Sequence, residues 1–526
     1  MENQLFSEFQ PVELHISCRN LRNMDILSKS DPVVIAYLLK DGKWVNIGQT
    51  EQIRNNLNPN FTKTITTELI FEVKQPIKFD VIDVDDNSED LIGSVETELG
   101  KLAGAKKQTS ILDLTSKDGK KGGKIIIRLD KGAESNEYIF WQWQGVKLKN
   151  VDGFFDKSDP YLKFMRTNEH GDLFLAHQTK HIMDNLNPIW EAFEIPAKKL
   201  CYGKHDSPII VECWDWEKKN AHKFIGKTSF TLNDLIGGKR EFTLLTAKGK
   251  PAGTIKLISF DLMVKPSFMD FIRGGEQLSF ILAVDFTGSN GIPTSSSSLH
   301  YIDPSGQFNQ YQSAIVSVGE IILNYDFDRM VPAFGFGGKP RFPTLTSNQV
   351  MHCFPLNGNP QNAECADLPG LLQAYNNALM HVELSGPTYF EHIIAGAIEV
   401  AKQNIERNVY SCLLIITDGE IHDMDKTVDL VVSASNLPLS IIIIGVGNED
   451  FENMRRLDSD NGALVNSKGQ KATRDLVQFV KYNDYGGNKA QLAKEVLAEL
   501  PKQLCEYKRI VGKKPNPPIF VDHTAL

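Results

Sequence analysis

The sequence predicts a multidomain chain: two all-β antiparallel sandwiches followed by an α/β domain on a parallel sheet. Three observations carry this. The first half repeats itself at an offset of about 130 residues. Each copy alternates apolar and polar residues with the period of a strand. After Leu278 the pattern changes to continuous apolar runs separated by stretches with helical periodicity. A chain of 526 residues is also too long for a single core and fits about three domains.

The repeat is visible in "SKSDPVVIAYLLKDGKWVNIGQTEQIRNNLNPNF" beside "DKSDPYLKFMRTNEHGDLFLAHQTKHIMDNLNPIW", each followed by Leu-Ile-Gly or Phe-Ile-Gly. Such an offset is too long for a solenoid unit and right for a duplicated domain. "PVELHISC", "PVVIAYLL" and "KFDVIDV" are expected strands of the first copy, "YLKFM" and "IIVECWDW" of the second, with Asn, Asp, Gly and Pro turns between them. "DKGAESNE" and "MVKPSFMDFIRGGE" are the expected linkers, giving domains at 1–132, 133–265 and 266–510, then an extended tail at 511–526. In the third domain "LSFILAVDF", "CLLIITDG" and "LSIIIIGVG" are buried parallel strands, and "YFEHIIAGAIEVAKQNI" and "NKAQLAKEVLAELPKQL" are helical.

A net charge of -9 argues against a nucleic-acid binder driven by bulk charge, so no nucleic-acid partner is expected. The same acidity repels an anionic membrane unless a basic patch or captured cations act locally. The start "MENQLFSEFQ" lacks the pattern of a signal peptide, and no apolar run reaches the ~20 residues of a membrane span. Seven cysteines without a CxxC pair fit a reducing compartment, with Cys18, Cys213 and Cys412 as small strand hydrophobes. A cytoplasmic location is expected.

In the first repeat, carboxylates gather in two places: Asp25 and Asp31 in "NMDILSKSDP", then Asp83, Asp85, Asp86 and Asp90 in "VIDVDDNSEDLIG". Calcium takes six to eight oxygens, and such crowded charge repels itself without a cation. These motifs, with the intervening "NLNP", resemble the calcium-dependent phospholipid-binding C2 domain. The resemblance implies calcium ligands at Asp25, Asp31, Asp83, Asp85 and Asp90, with Asp86 able to share the role of Asp85 or Asp90. It also implies a lipid-dipping tip at Ile26 and Leu27.

The second repeat departs from this pattern. In "VDGFFDKSDP", Gly153 stands where the first repeat has Asp25; Glu217 follows Asp215 where the second carboxylate belongs; and Lys223 precedes Phe-Ile-Gly. Asp159 and Asp215 remain, and Asp152 or Asp156 compensates only if the loop slips. Phe154 and Phe155 form an apolar tip. Lys218, Lys219 and Lys223 are candidate contacts to anionic lipid, at about 1 kcal/mol each. A built-in positive charge standing in for calcium is one expectation, and a degenerate scaffold loop is the other.

In the third domain Asp285 ends an apolar strand, followed by Thr287 and Ser289; Thr388 precedes a helix and Asp418 ends another strand. Ligands of parallel sheets collect at such strand ends. The five residues resemble the metal-ion-dependent adhesion site of the doubly wound von Willebrand factor A-type domain. The resemblance implies Mg2+ or Mn2+ held by Asp285, Ser289 and Thr388, supported by Thr287 and Asp418, with an open position for an acidic group of a protein partner.

Two C2 domains and this A-type domain, with "VPAFGFGGKP", "HCFPLNG", "GPTYF" and "RDLVQFV", resemble the copine family over nearly the whole chain. The family implies a calcium sensor that moves from cytoplasm to plasma membrane, binds anionic phospholipid and recruits target proteins, and no enzymatic activity is expected because the catalytic motifs are missing. The alternatives are a calcium-independent membrane scaffold and a metal-dependent kinase. For the latter, "FGFGGKP" lacks the Ser or Thr of a phosphate loop, because Pro340 follows Lys339, and the kinase motif set is missing.

Overall fold

The computed structural model describes residues 10–25, 28–85, 88–132, 136–153, 156–167, 173–218, 221–419, 421–458 and 463–518. The first repeat folds as strands β1 (Gln10–Arg19), β2 (Pro32–Lys40), β3 (Lys43–Gln49), β4 (Ile65–Leu69), β5 (Pro76–Val84), β6 (Glu89–Glu98), β7 (Thr109–Thr115) and β8 (Lys121–Lys131). They pair in the order β3-β2-β5-β6-β7-β8-β1-β4, antiparallel throughout. A single residue pair, Ser94 with Thr115, joins β6 to β7, so the path bends there into two facing sheets. Alternation decides which residues go inside: Ile77, Phe79 and Val81 of β5 are fully buried while their neighbours are not.

The second repeat reproduces this order strand for strand with β9 (Glu137–Val146), β10 (Pro160–Thr167), β11 (Leu173–Gln178), β12 (Phe193–Pro196), β13 (Ile209–Asp215), β14 (Lys223–Phe230), β15 (Glu241–Leu245) and β16 (Pro251–Val264). Its core is aromatic. Trp141 and Trp143 of β9 pack against Phe164, Phe193, Phe230 and Phe242, with ring centroids 5.1–6.5 Å apart.

In the third domain the parallel strands Met330–Phe336, Gln277–Asp285, Val409–Thr417, Leu439–Gly445 and Val477–Lys481 lie side by side in that order. Short antiparallel strands, Phe354–Pro355 and Glu364–Ala366, edge the Met330 side, so the sheet is mixed. Both faces are covered. Phe280, Leu282 and Val284 pack toward the helix Gln310–Ile322, and Ile281 and Ala283 toward the helix Glu391–Asn404. "NKAQLAKEVLAELPKQL" forms two helices, Lys489–Leu497 and Leu500–Ile510, because Pro501 suits the first turn of a helix and not its interior.

By compactness the chain forms two bodies: Met1–Gly132 with Ser267–Leu526, and Ala133–Pro266. The first sandwich and the third domain share one continuous apolar cluster. Part of this junction comes from "MVKPSFMDFIRGGE", expected as a linker. Its Ser267 and Asp270 form a reciprocal capping box that starts the helix Phe268–Arg273, and Phe268, Met269, Phe271 and Ile272 of that helix are buried. Phe71 meets Phe268 and Tyr325 with ring centroids 4.8 and 5.1 Å away. Around these rings Lys131 pairs with Asp270 at 2.9 Å, Arg273 with Asp130, and Lys74 with Glu320 at 3.2 Å.

Candidate metal sites at the strand ends

The first cup forms where β1, β2, β5 and β6 end. Pro32 of β2 is paired with Asp83 of β5, which brings the Ser-Asp-Pro turn against the second acidic run. The Asp31 N–H donates to Asp83 Oδ1 at 2.5 Å, and Asp31 Oδ1 accepts from the Asn55 N–H at 2.8 Å. "NLNP" ties its turn to the end of β1. Asn56 Oδ1 accepts from the Asn58 N–H at 2.8 Å, and Asn58 Oδ1 accepts from the Asn20 N–H at 2.8 Å.

One oxygen from each of Asp25, Asp83 and Asp85 then lies within 4.8 Å of the others. Asp83 is 1% exposed, and its Oδ2 is buried without a hydrogen-bond partner among the described residues. A buried, orphaned carboxylate oxygen is costly unless a cation meets it. The carboxylates of Asp25 and Asp85 accept from the hydroxyls of Ser28 and Ser88. Partial desolvation and the facing carboxylates of Asp25 and Asp83 hold Asp85 above the usual carboxylate range. The donor set is all oxygen and strongly anionic, which fits calcium. Asp31 and Asp90 lie outside the three-carboxylate group: Asp31 braces Asp83 through its backbone, and Asp90 is the exposed cross-strand partner of Asp83. Ile26, Leu27 and Asp86 lie outside the described residues.

The second cup has the same frame. The Asp159 N–H donates to Asp215 Oδ1 at 2.6 Å, the Asp184 N–H to Asp159 Oδ1 at 2.7 Å, and Pro160 pairs with Asp215. The first-loop carboxylate, however, is not lost. Asn23 and Ser30 bracket the first loop and Asn150 and Ser158 the second, which is one residue longer. Met24 and Val151 both donate N–H to the closing serine, and Asn23 and Asn150 both donate Nδ2–H to the carbonyls of Asp25 and Gly153, so the extra residue is Asp152. Gly153 takes φ +100°, a conformation that disfavours an aspartate there, and the neighbouring Asp152 turns its carboxylate into the cup. Asp152, Asp215 and Glu217 come within 4.8 Å of one another, while Asp156 sits beside Asp184 instead. Burial, then the nearby Asp152, pushes Asp215 up to about 7.

Lys223 faces this group. Its Nζ donates to Asp152 Oδ1 at 2.6 Å and is paired with Glu217 Oε1. These bonds raise the Lys223 ammonium above the ordinary lysine range, and they hold Asp152 below the carboxylate range despite its burial. Lys218 is exposed, and Phe154, Phe155 and Lys219 lie outside the described residues.

The third site sits where Gln277–Asp285 and Val409–Thr417 end. Asp285 is fully buried; its Oδ1 accepts from the Thr287 N–H at 2.8 Å and its Oδ2 from the Thr417 hydroxyl at 2.5 Å. The Ser289 hydroxyl donates to Asp418 Oδ1 at 3.0 Å, and the Thr287 and Ser289 hydroxyls are 3.1 Å apart. Gly419 leaves space in their midst: a Cβ there would lie 3.9 Å from Thr388 Oγ1 and 4.0 Å from Ser289 Oγ. Bonds thus link Asp285, Thr287, Ser289 and Asp418, and Thr388 Oγ1 faces the same Gly419 as Ser289 Oγ; oxygen groups of this kind suit a hard divalent ion. Burial and the nearby Asp285 push Asp418 up to about 7. Two supporting residues were not apparent in the sequence. Thr417 was hidden as the last residue of an apolar strand, and His300 bonds the Asp285 carbonyl at 2.9 Å from beneath.

"FGFGGKP" is no phosphate loop here. Gly338–Phe342 is a strand paired with Val382–Leu384, and Lys339 Nζ is bonded to Glu383 at 2.8 Å. Among the described residues no helix is long and apolar enough to cross a membrane.

Two antiparallel sandwiches with acidic loop cups, joined to a mixed-sheet α/β domain, define a tandem C2 protein. A C2-domain family model matches residues 13–114 and 139–245, and a Copine model matches 298–516. Copine-C of Dictyostelium discoideum is 38% identical over 524 residues, covering 96% of each chain. The chain belongs to the copine family. Among solved structures it is similar to BON1-C2B, at 29% identity over 25% of this chain and 94% of that one, with a TM-score of 0.22. It is also similar to the calcium-bound pair of C2 domains of Extended-Synaptotagmin 2, at 18% identity over 49% and 98%, with a TM-score of 0.24.

Proposed function

We propose that the protein is a calcium-dependent phospholipid-binding protein that moves from the cytoplasm to the plasma membrane and recruits target proteins through its A-type domain. The observation that carries this reading is the convergence of Asp25, Asp83 and Asp85 around the orphaned Asp83 oxygen. Calcium bound there would offset two of the three carboxylate charges and offer its remaining coordination positions to lipid phosphate oxygens. Asp31 holds Asp83 in place, and Asp90 on the adjoining strand completes the acidic rim. Ile26 and Leu27 would then enter the bilayer.

In the A-type domain, Asp285, Ser289 and Thr388 would hold Mg2+ or Mn2+, with Thr287 and Asp418 in support. That ion would supply an open position for a carboxylate of the target protein.

Sedimentation of the full chain with anionic liposomes tests the first part. Calcium is expected to increase the pelleted fraction of the wild type and to leave that of the Asp83→Asn, Asp85→Asn double variant at its calcium-free level. An equal calcium response in both proteins would remove the first cup from this role.

A further inference from the structure

The two cups can be compared atom by atom because their frames coincide. In both, the Ser-Asp-Pro aspartate donates its N–H to a buried aspartate on the neighbouring strand and accepts from a left-handed residue of the next loop, Asn55 or Asp184. In both, that buried aspartate has an oxygen without a hydrogen-bond partner among the described residues, Asp83 Oδ2 or Asp215 Oδ2. Asp83 is the cross-strand partner of Asp90, and Asp215 is the cross-strand partner of Lys223. With Asp152 supplying the first-loop carboxylate and Glu217 replacing an aspartate, the strand position opposite the buried aspartate changes the sign of its charge. That position is Lys223.

Its side chain is exposed, yet its ammonium is engaged by carboxylates of its own cup. It is bonded to both Asp152 and Glu217, two members of the carboxylate group that also contains Asp215. An ammonium brings one positive charge and three N–H donors, which suit several carboxylate oxygens converging at hydrogen-bond distance. A calcium ion seeking oxygens at ~2.3–2.6 Å would need this same space and would meet the ammonium's charge a few Å away.

We propose that Lys223 is the built-in cation of the second cup, holding its loops together as calcium would and keeping calcium out. The second sandwich then presents its loops at any calcium concentration, while the first presents them only when calcium is bound. This inference rests on the proposed calcium site of the first cup for its contrast, but its test does not.

The test is calcium calorimetry on the full chain carrying Asp83→Asn and Asp85→Asn, so that the first cup is silent. This background is expected to show no saturable calcium heat. Adding Lys223→Asp is expected to restore binding, tighter by about 100-fold or more than in the background, since it adds a ligand and removes the repelling charge. Lys223→Met, which removes the charge alone, is expected to give a smaller gain and guards against misfolding of the aspartate variant. Calcium binding by the background that disappears with Asp215→Asn would overturn the proposal, because calcium would then enter despite the lysine. So would folded Lys223→Asp and Lys223→Met variants that both remain silent. If the wild type and the background give the same heats, it is the first-cup reading that fails, and the Lys223 variants are still read against the background.

Discussion

At the scale of single residues, each candidate site depends on a carboxylate whose partners are mostly backbone and hydroxyl groups. Asp285 has both oxygens engaged, one by the Thr287 N–H and one by the Thr417 hydroxyl. Thr417→Val removes the second bond without changing the side-chain volume much, and leaves a buried oxygen unpaired. It is expected to weaken manganese binding by about 10–100-fold, the usual effect of losing an outer-sphere partner, while far-ultraviolet circular dichroism is unchanged. Manganese titration followed by electron paramagnetic resonance checks this; an unaltered affinity would show that the hydroxyl does not orient Asp285. The five candidate residues of the third domain stood out because acidic and hydroxyl residues at the ends of apolar runs do so. Thr417 was not, since a threonine inside "LLIITDG" is an ordinary strand residue until the fold aims its hydroxyl. Asp152 was obscured for another reason: counting back from Ser-Asp-Pro passes over a one-residue insertion that only the Asn150 and Ser158 bonds locate.

At the scale of elements, the strands follow alternation closely, because a sandwich strand has one buried face and one open face. The second sandwich concentrates its stabilisation in β9, where Trp141 and Trp143 are both fully buried. Trp141→Ala is expected to destabilise that body by about 3–5 kcal/mol through the cavity it leaves. Thermal unfolding followed by tryptophan fluorescence and calorimetry should show its transition moving down while the other body's transition stays in place. The helix Phe268–Arg273 was the element least legible in sequence. Its flanking Pro and Gly residues have the composition of a linker, and only the Ser267 and Asp270 capping pair marks a helix start.

At the scale of the molecule, the junction between the first sandwich and the A-type domain could not be read from composition. Phe71, Phe268 and Tyr325 resemble ordinary core residues of their own domains. The strands place this junction away from both of that body's sites. β5 begins next to it and ends at the first acidic cup, and Gln277–Asp285 begins next to Tyr325, whose carbonyl accepts from the Leu278 N–H at 3.0 Å, and ends at the candidate site of the third domain. Gly104 is the tightest point of approach: a Cβ there would lie 1.9 Å from the Asn324 carbonyl oxygen, although its own φ of −83° suits any residue. Gly104→Val is therefore expected to cost about 1–3 kcal/mol by forcing the junction apart. Hydrogen exchange should quicken in Phe268–Arg273 and near Tyr325 and stay unchanged in β2 and β5; unaltered exchange at the junction would show that it yields without loosening.

Calcium calorimetry of the wild-type chain beside the Asp83→Asn, Asp85→Asn variant addresses the division of labour between the cups most directly. Saturable calcium binding in the wild type that is abolished in the variant is the expected result. Undiminished binding in the variant would contradict it, by placing the protein's calcium somewhere other than the first cup.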